Sequence, residues 1–244
     1  MRVTKLIPPQ SAILIFLALC FVTTHNQKQI YVDSVQLNVV MVGNIGVSQD
    51  ESSIKKDVLD TIKKIHEYQP FHLGINPGNN VYPQGSQVND FQKLNEVFTT
   101  EFPSDIYQFD FLTVLGKNDH DGDFETQIQY HHLVDTRFYL PKRNYVYDVT
   151  LNDGTQIRFM CIDSTSIYEP GMMTPDDRLI QLQNFNDVLD NSRQFDHVFL
   201  ILNHNVVNGC GSDVEIPNDQ PFYKIVLHDA LTAILTGYDY YMQV

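Results

Sequence analysis

The sequence predicts an α/β domain in which layers of strands and helices alternate. Short apolar runs of strand length alternate with segments of helical periodicity along most of the chain, which is typical of layered α/β folds. The first apolar run is 37–42 (LNVVMV). Residues 50–68 carry apolar side chains at spacings of three and four, as expected of an amphipathic helix: Ile54, Val58, Ile62 and Ile65. Residues 145–149 and 157–162 flank an Asn-Asp-Gly turn signal, which predicts a β-hairpin in the middle of the chain.

The other elements are predicted from the same two patterns. Short apolar runs predict strands at 71–75, 111–115 (FLTVL), 197–202 (HVFLIL) and 232–236. Helical spacing of apolar residues predicts helices at 91–102, 123–132, 176–191 and 222–230. The sequence contains no internal repeat, so residues 28–244 are expected to form one domain.

The charge balance excludes one class of partner. The 244 residues include 16 Lys and Arg against 30 Asp and Glu, which gives a net charge of −14. Sequence-independent binding of nucleic acid needs Lys and Arg to neutralise phosphates, so no nucleic-acid partner is expected. The three cysteines, Cys20, Cys161 and Cys210, lack the spacing of a zinc site or a disulfide framework. A single bridge between Cys161 and Cys210 remains open.

Residues 1–27 are predicted to be a signal peptide or a membrane anchor. Arg2 and Lys5 precede the apolar run 11–22 (SAILIFLALCFV), and no acidic residue occurs before Asp33. The run is short for a bilayer span of about 20 residues, but the flanking residues could extend it. The alternatives are a cleaved signal, a retained anchor and, less favoured, a buried core helix. The predicted location is therefore membrane-associated, either in the endomembrane lumen or secreted, or at an organelle membrane such as a mitochondrial one.

Glycine and polar residues stand where nearly every predicted strand ends. These strand ends are 43–46 (GNIG), 78–82 (GNNVY), 116–120 (GKNDH), 163–164 (DS), 203–205 (NHN) and 237–240 (GYDY). In order and spacing they resemble the metal-binding loops of the calcineurin-like metallophosphoesterases, most closely the small tartrate-resistant purple acid phosphatases. The pattern of that family runs Gly-Asp-x-Gly, Gly-Asp-Asn-x-Tyr, Gly-Asn-His-Asp-His, Gly-His-x-Pro and Gly-His-Asp-His. The resemblance covers about residues 37–240 and implies a layered β-sandwich flanked by helices, preceded here by an N-terminal hydrophobic helix.

Most ligand positions of that pattern carry other residues in this chain. By the resemblance, Asn44 and Asn79 replace ligand aspartates, Lys117 replaces a ligand asparagine, Asn118 replaces the catalytic histidine, and Tyr238 and Tyr240 replace the last two ligand histidines. Tyr82 and His204 keep the ligand type, and each has a simpler interpretation, as a packed tyrosine and a buried histidine. The loss of two carboxylates and the gain of an ammonium group disfavour a pair of divalent cations. We therefore expect no bound metal, no cofactor and no catalytic residue.

The function predicted by this pattern is that of a catalytically inactive purple-acid-phosphatase-like domain, serving as a structural or interaction subunit of a membrane-associated complex. The alternative is a divergent acid phosphatase that hydrolyses phosphomonoesters with a reduced site and a divalent or ferric metal. A third hypothesis is a ligand-binding module in which Lys117 binds an anion such as phosphate. Family members continue with strands that close the sheet. The chain is therefore expected to leave a C-terminal sheet edge open, where other protein subunits bind.

Overall fold

The computed structural model describes residues 27–169, 171–206 and 224–237. The strands are β1 Lys28–Val32, β2 Val39–Met41, β3 Leu73–Asn76, β4 Phe111–Thr113, β5 Phe138–Tyr139, β6 Tyr145–Leu151, β7 Gln156–Cys161, β8 His197–Leu202 and β9 Ala233–Thr236. The helices are α1 Ser53–Tyr68, α2 Gln92–Leu94, α3 Lys117–His120, α4 Phe124–Leu133, α5 Thr165–Tyr168 and α6 Pro175–Asp190. A π-helical turn, Asn95–Thr99, follows α2 directly. The α/β fold class is therefore confirmed.

Two β-sheets share one hydrophobic core. One sheet has the strand order β1-β6-β7-β8-β9, and the other has the order β2-β3-β4-β5. Both sheets contribute to one cluster of buried side chains, among them Leu73, Phe111, Tyr147 and Phe159. This shared core gives a layered sandwich, as the family resemblance implies.

The inner strands β7 and β8 of the five-stranded sheet are buried on both faces. Phe159 of β7 belongs to the core shared by the sheets, whereas its neighbour Met160 belongs to a second cluster. In that second cluster β8 packs against α6, which contributes Leu182, Phe185 and Leu189. Because successive side chains of a strand point to opposite faces, a strand covered on both sides is apolar throughout. This explains the uninterrupted apolar sequence of β8 from Val198 to Leu202.

Strand direction brings the polar strand ends together. β2, β3, β4 and β5 are parallel, and so are β7, β8 and β9. Among the described strands only β6 and β7 pair antiparallel, as the predicted hairpin, with Tyr145 opposite Cys161. The residues before β6 therefore lie beside those that follow β7. The carboxyl ends of parallel strands in α/β sheets form the edge where ligand sites occur.

The structure also corrects the sequence-based boundaries. The helix predicted at 91–102 is a single turn that passes into the π-helical turn. The structure adds β1, β5, α3 and α5, which the sequence patterns did not predict. Of the helix predicted at 222–230, the described part has helical backbone only at 224–226.

Several sequence-based predictions lie outside the described residues. These include the N-terminal hydrophobic segment, the Cys161–Cys210 bridge, and Tyr238 and Tyr240. In the part of the chain that is described, no helix combines the length and the apolar character needed to cross a bilayer.

Candidate functional site

The polar strand ends converge at one edge of the two sheets. A Cβ atom added to Gly116 would lie 2.5 Å from the backbone nitrogen of Asn79, and one added to Gly78 would lie 2.8 Å from Asn203 Nδ2. At Gly237 the nearest atom to such a Cβ is the carbonyl oxygen of Pro77, at 2.6 Å. These approaches are possible because the glycines have no side chain. The loops after β3, β4, β8 and β9 therefore meet in space.

Three asparagines and one tyrosine of these loops form a hydrogen-bonded group, which we call the amide cluster: Asn44, Asn79, Asn118 and Tyr82. Asn44 Oδ1 accepts hydrogen bonds from Asn79 Nδ2 and from the Tyr82 hydroxyl, each at 3.0 Å. Asn79 Oδ1 accepts one from the backbone N–H of Asn118 at 3.2 Å. The side-chain amide of Asn118 donates to the carbonyl oxygen of Pro83 at 2.8 Å. The structure thus brings four of the predicted site residues into one network.

The backbone at the amide cluster favours asparagine. Asn44 and Asn79 have φ angles of 57° and 59°, in the left-handed region. Asparagine and aspartate adopt this region more readily than other non-glycine residues. Replacing aspartate by asparagine at these two positions therefore removes a negative charge from each and keeps a residue that the loop backbone accepts.

Asp119, which sequence reasoning did not assign to the site, hydrogen-bonds the backbone of the loops that carry the amide cluster. Its Oδ1 accepts from the backbone N–H groups of Asn80 and Val81, at 2.8 and 3.2 Å, and from Gln127 Nε2 at 2.9 Å. Its Oδ2 accepts from the backbone N–H of Gly116 at 2.8 Å. Burial of the side chain raises the Asp119 pKa to about 6, although these four hydrogen bonds oppose the rise. Asp119 thereby holds the loops after β3 and β4 together.

Lys117 lies at the rim of the site rather than inside the amide cluster. Its side chain is half exposed, and its ammonium group lies 3.5 Å from a carboxylate oxygen of Glu169. A carboxylate beside the ammonium group competes with any added anion. Anion binding by Lys117 stays a prediction.

His204 is buried in a separate set of contacts. Its Nδ1 lies 3.0 Å from the hydroxyl of Ser164, and its ring stacks on Tyr168 at 4.6 Å between centroids. Burial lowers the His204 pKa to about 4, with the positive charge of Lys117 acting in the same direction. The imidazole is therefore neutral at physiological pH.

The buried carboxylate of Asp163 lies close enough to His204 to affect its pKa, and it forms its own ion pairs. His120 Nε2 and Arg143 both contact the buried carboxylate of Asp163, at 3.0 and 2.7 Å. Burial opposes ionisation of Asp163, but its hydrogen bond to His120 and the charges of His120 and Arg143 outweigh that effect and lower its pKa. The only feature of the sequence that points to this charged group is the Asp-Ser pair that follows β7. The two partners of Asp163 come from distant loops.

The residues present do not fit a two-metal centre. The Asn44 oxygen already accepts two hydrogen bonds, and the neighbouring Asn79 directs an N–H group towards it. A cation at this point would compete with two donors for one neutral oxygen, and the amide cluster has no carboxylate to balance its charge. Across the described ranges, no group of three or more His, Cys, Asp or Glu side chains is arranged to hold a metal ion.

Comparison with known proteins adds one informative similarity. No family model and no curated protein sequence matches the chain. Among solved structures, the chain is similar to "GAP50 the anchor in the inner membrane complex of Plasmodium", with a TM-score of 0.66 and 16% sequence identity. The similarity covers 83% of this chain and 66% of that one, so the chain spans just under two thirds of that structure's length. At this identity the similarity shows that the two chains share a fold.

Proposed function

We propose that this chain is a catalytically inactive purple-acid-phosphatase-like domain that serves as a structural or interaction subunit of a membrane-associated complex. The amide cluster carries this proposal. Asn44 and Asn79 stand where the family pattern places metal ligands, and Asn118 stands where it places the catalytic histidine. All three use their polar atoms to bind one another and the adjacent loops. Loops whose polar groups are hydrogen-bonded to one another stabilise the fold without a metal.

The chemistry of phosphomonoester hydrolysis is poorly supported by the same residues. Metallophosphoesterase chemistry requires cations that activate water and bind phosphate oxygens. Asn118, at the position of the family's catalytic histidine, has an amide side chain with no proton to transfer near neutral pH. His204 contacts Ser164 and Tyr168 within a buried pocket of side chains. The site therefore favours a structural role over an acid phosphatase.

The role in a membrane complex is supported by the structural neighbour. GAP50 is described as the anchor in the inner membrane complex of Plasmodium. This chain shares its fold and also has an apolar segment at 11–22 that is suited to a signal peptide or an anchor. We infer that protein subunits are its partners and that a membrane is its location.

Measurements of metal content and of phosphatase activity test whether the chain is catalytically inactive. The purified full chain is expected to contain no stoichiometric metal by mass spectrometry of the elements and to hydrolyse no p-nitrophenyl phosphate. The double variant Asn44→Asp/Asn79→Asp places two carboxylates face to face and removes the donor between them. We expect a lower melting temperature that added Mn²⁺, Zn²⁺ or Fe³⁺ does not restore.

Asn89→Asp is the matched control, because Asn89 is an exposed asparagine with a φ angle of 58° outside the amide cluster. This variant should melt like the unmodified chain. Stoichiometric metal in the purified chain together with phosphomonoester turnover would refute the proposal and favour the divergent phosphatase. Metal-dependent recovery of the double variant would show that the loops still accept a metal centre.

A separate experiment tests the complex. Membranes from cells that express the tagged full chain are solubilised and analysed by native gel and mass spectrometry. The chain is expected in the membrane fraction, in an assembly larger than itself with reproducible protein partners. Recovery from the soluble fraction without protein partners would refute this part of the proposal.

A further inference from the structure

Helix α1 exposes a second apolar face beside the one that it buries. Leu59 and Ile62 pack into the core. On an adjacent face lie five other residues, which we call the outer stripe: Ile54, Val58, Thr61, Ile65 and Tyr68. Ile54 is 76% exposed, Val58 41%, Ile65 47% and Tyr68 90%. A stripe this apolar on the surface indicates an interaction site.

The spacing of the outer stripe indicates what kind of surface it fits. Its members follow one another at intervals of four, three, four and three residues. This is the a/d spacing of a heptad repeat, which packs against another helix with the same spacing. The stripe therefore fits an α-helix rather than an extended strand.

The charges beside the outer stripe indicate which helix. Asp57 and Lys64 lie on one flank of it, seven residues apart. At 1.5 Å per residue they are about 10 Å apart along α1, too far to pair with each other. Within the described part of the chain, neither makes an ion pair with any other residue. An antiparallel copy of α1 would place Lys64 of each copy near Asp57 of the other.

We propose that the outer stripe binds a second copy of this chain, with the two α1 helices packed antiparallel about a two-fold axis between Leu59 and Asp60. In this arrangement Ile54 contacts the partner's Ile65, and Val58 contacts the partner's Thr61, and the symmetry repeats both contacts. One surface that is complementary to itself in both apolar spacing and charge is what an isologous dimer needs.

The size of the outer stripe sets the strength of this dimer. A single helix pair buries less than the roughly 800 Å² per partner of a standard interface. The dimer is therefore weak in solution. Confinement of the chain to a membrane surface would raise its effective concentration and favour the dimer. The inference depends on α1 alone and not on the loss of metal chemistry at the loop edge.

Sedimentation velocity of the full chain in density-matched detergent tests the inference, over micromolar to submillimolar concentrations. The unmodified chain should show reversible, concentration-dependent dimerisation. Ile65→Asp should weaken it at least about a hundredfold, because each substitution changes both Ile–Ile contacts. Ile180→Asp, at a position on α6 that is 55% exposed, is the matched control and should leave the dimer unchanged.

Charge reversal tests the antiparallel pairing. Asp57→Lys should weaken the dimer about tenfold, and so should Lys64→Asp, because each places like charges opposite one another. The double variant Asp57→Lys/Lys64→Asp should restore it. Lys56→Asp, on the opposite side of α1, is the control and should have little effect. A chain that is monomeric at all concentrations, a dimer that survives Ile65→Asp, or a double variant no better than the single ones would overturn the proposal.

Discussion

Asp119 gives the sharpest test of how the loop edge is built. Three donors share its Oδ1, and only the backbone N–H of Gly116 depends on Oδ2. In Asp119→Asn the amide oxygen can keep the three bonds of Oδ1, while the new NH₂ group faces the Gly116 N–H. One buried donor then loses its acceptor, which costs about 1–3 kcal/mol.

The destabilisation caused by Asp119→Asn should depend on pH, because the pKa of Asp119 is raised in the folded chain. Burial raises that pKa from the usual 3.8 to about 6. The folded state therefore binds more protons than the unfolded state between these two values, so the stability contributed by Asp119 is greatest below pH 3.8 and is lost as the pH rises through 6. At about 1.36 kcal/mol per pH unit, the loss across this window amounts to about 3 kcal/mol. Asparagine has no such titration. The destabilisation caused by Asp119→Asn should therefore be larger at pH 4 than at pH 7.

The assay is urea denaturation of both chains between pH 4 and 7, followed by circular dichroism. The quantity of interest is the difference in the free energy of unfolding between the two chains at each pH, because other titrating groups contribute equally to both. A difference that is constant with pH, or that grows towards pH 7, would refute the raised pKa. It would mean that the four hydrogen bonds outweigh burial and keep Asp119 ionised.

Three further predictions concern single residues. Gly78→Ala should destabilise the chain by at least about 2 kcal/mol, because the φ angle is 99° and the new Cβ would lie 2.8 Å from Asn203 Nδ2. Gly154→Ala is its control: the φ angle is 91° but nothing lies within 4 Å, so thermal melting should show only the smaller backbone cost of about 1 kcal/mol. The His204 imidazole, with its pKa lowered to about 4, should remain neutral at pH 5 in an NMR titration, and its contribution to stability should be lost as the pH falls from 6.5 through 4; an inflection near 6.5 would contradict the burial argument. The Cys161 thiol is buried with its pKa raised to about 12, so iodoacetamide should not label it in the folded chain at pH 8, and rapid labelling seen by peptide mapping would contradict this.

The elements that the sequence predicted well are those with a strong local pattern. The strand at 197–202 is found with the same bounds, because both of its faces are buried and the apolar run has no interruption. The helix predicted at 176–191 is found at Pro175–Asp190, where Thr174 caps the first turn. β5 was missed because its two residues are too few to show a period, although both are buried. β1 was missed because only its last three residues are apolar, which is too short a run to indicate a strand.

The candidate site was likewise predicted in part and missed in part. Asn44, Asn79, Tyr82 and Asn118 were predicted from their places at strand ends, and the structure brings them together. The position of Lys117 at the rim was not predicted, because spacing along the chain does not reveal the direction of a side chain.

By itself the sequence determined the α/β class, the acidic charge and the set of polar strand ends, because each depends on the identity and order of nearby residues. Only the tertiary structure decided which polar atoms satisfy one another. Asp119 binds the backbone of Asn80, 39 residues away, and Asp163 joins His120 to Arg143 across three separate segments. Hydrogen bonds of this kind depend on distance and angle between residues far apart in sequence, and those are fixed only when the two sheets pack.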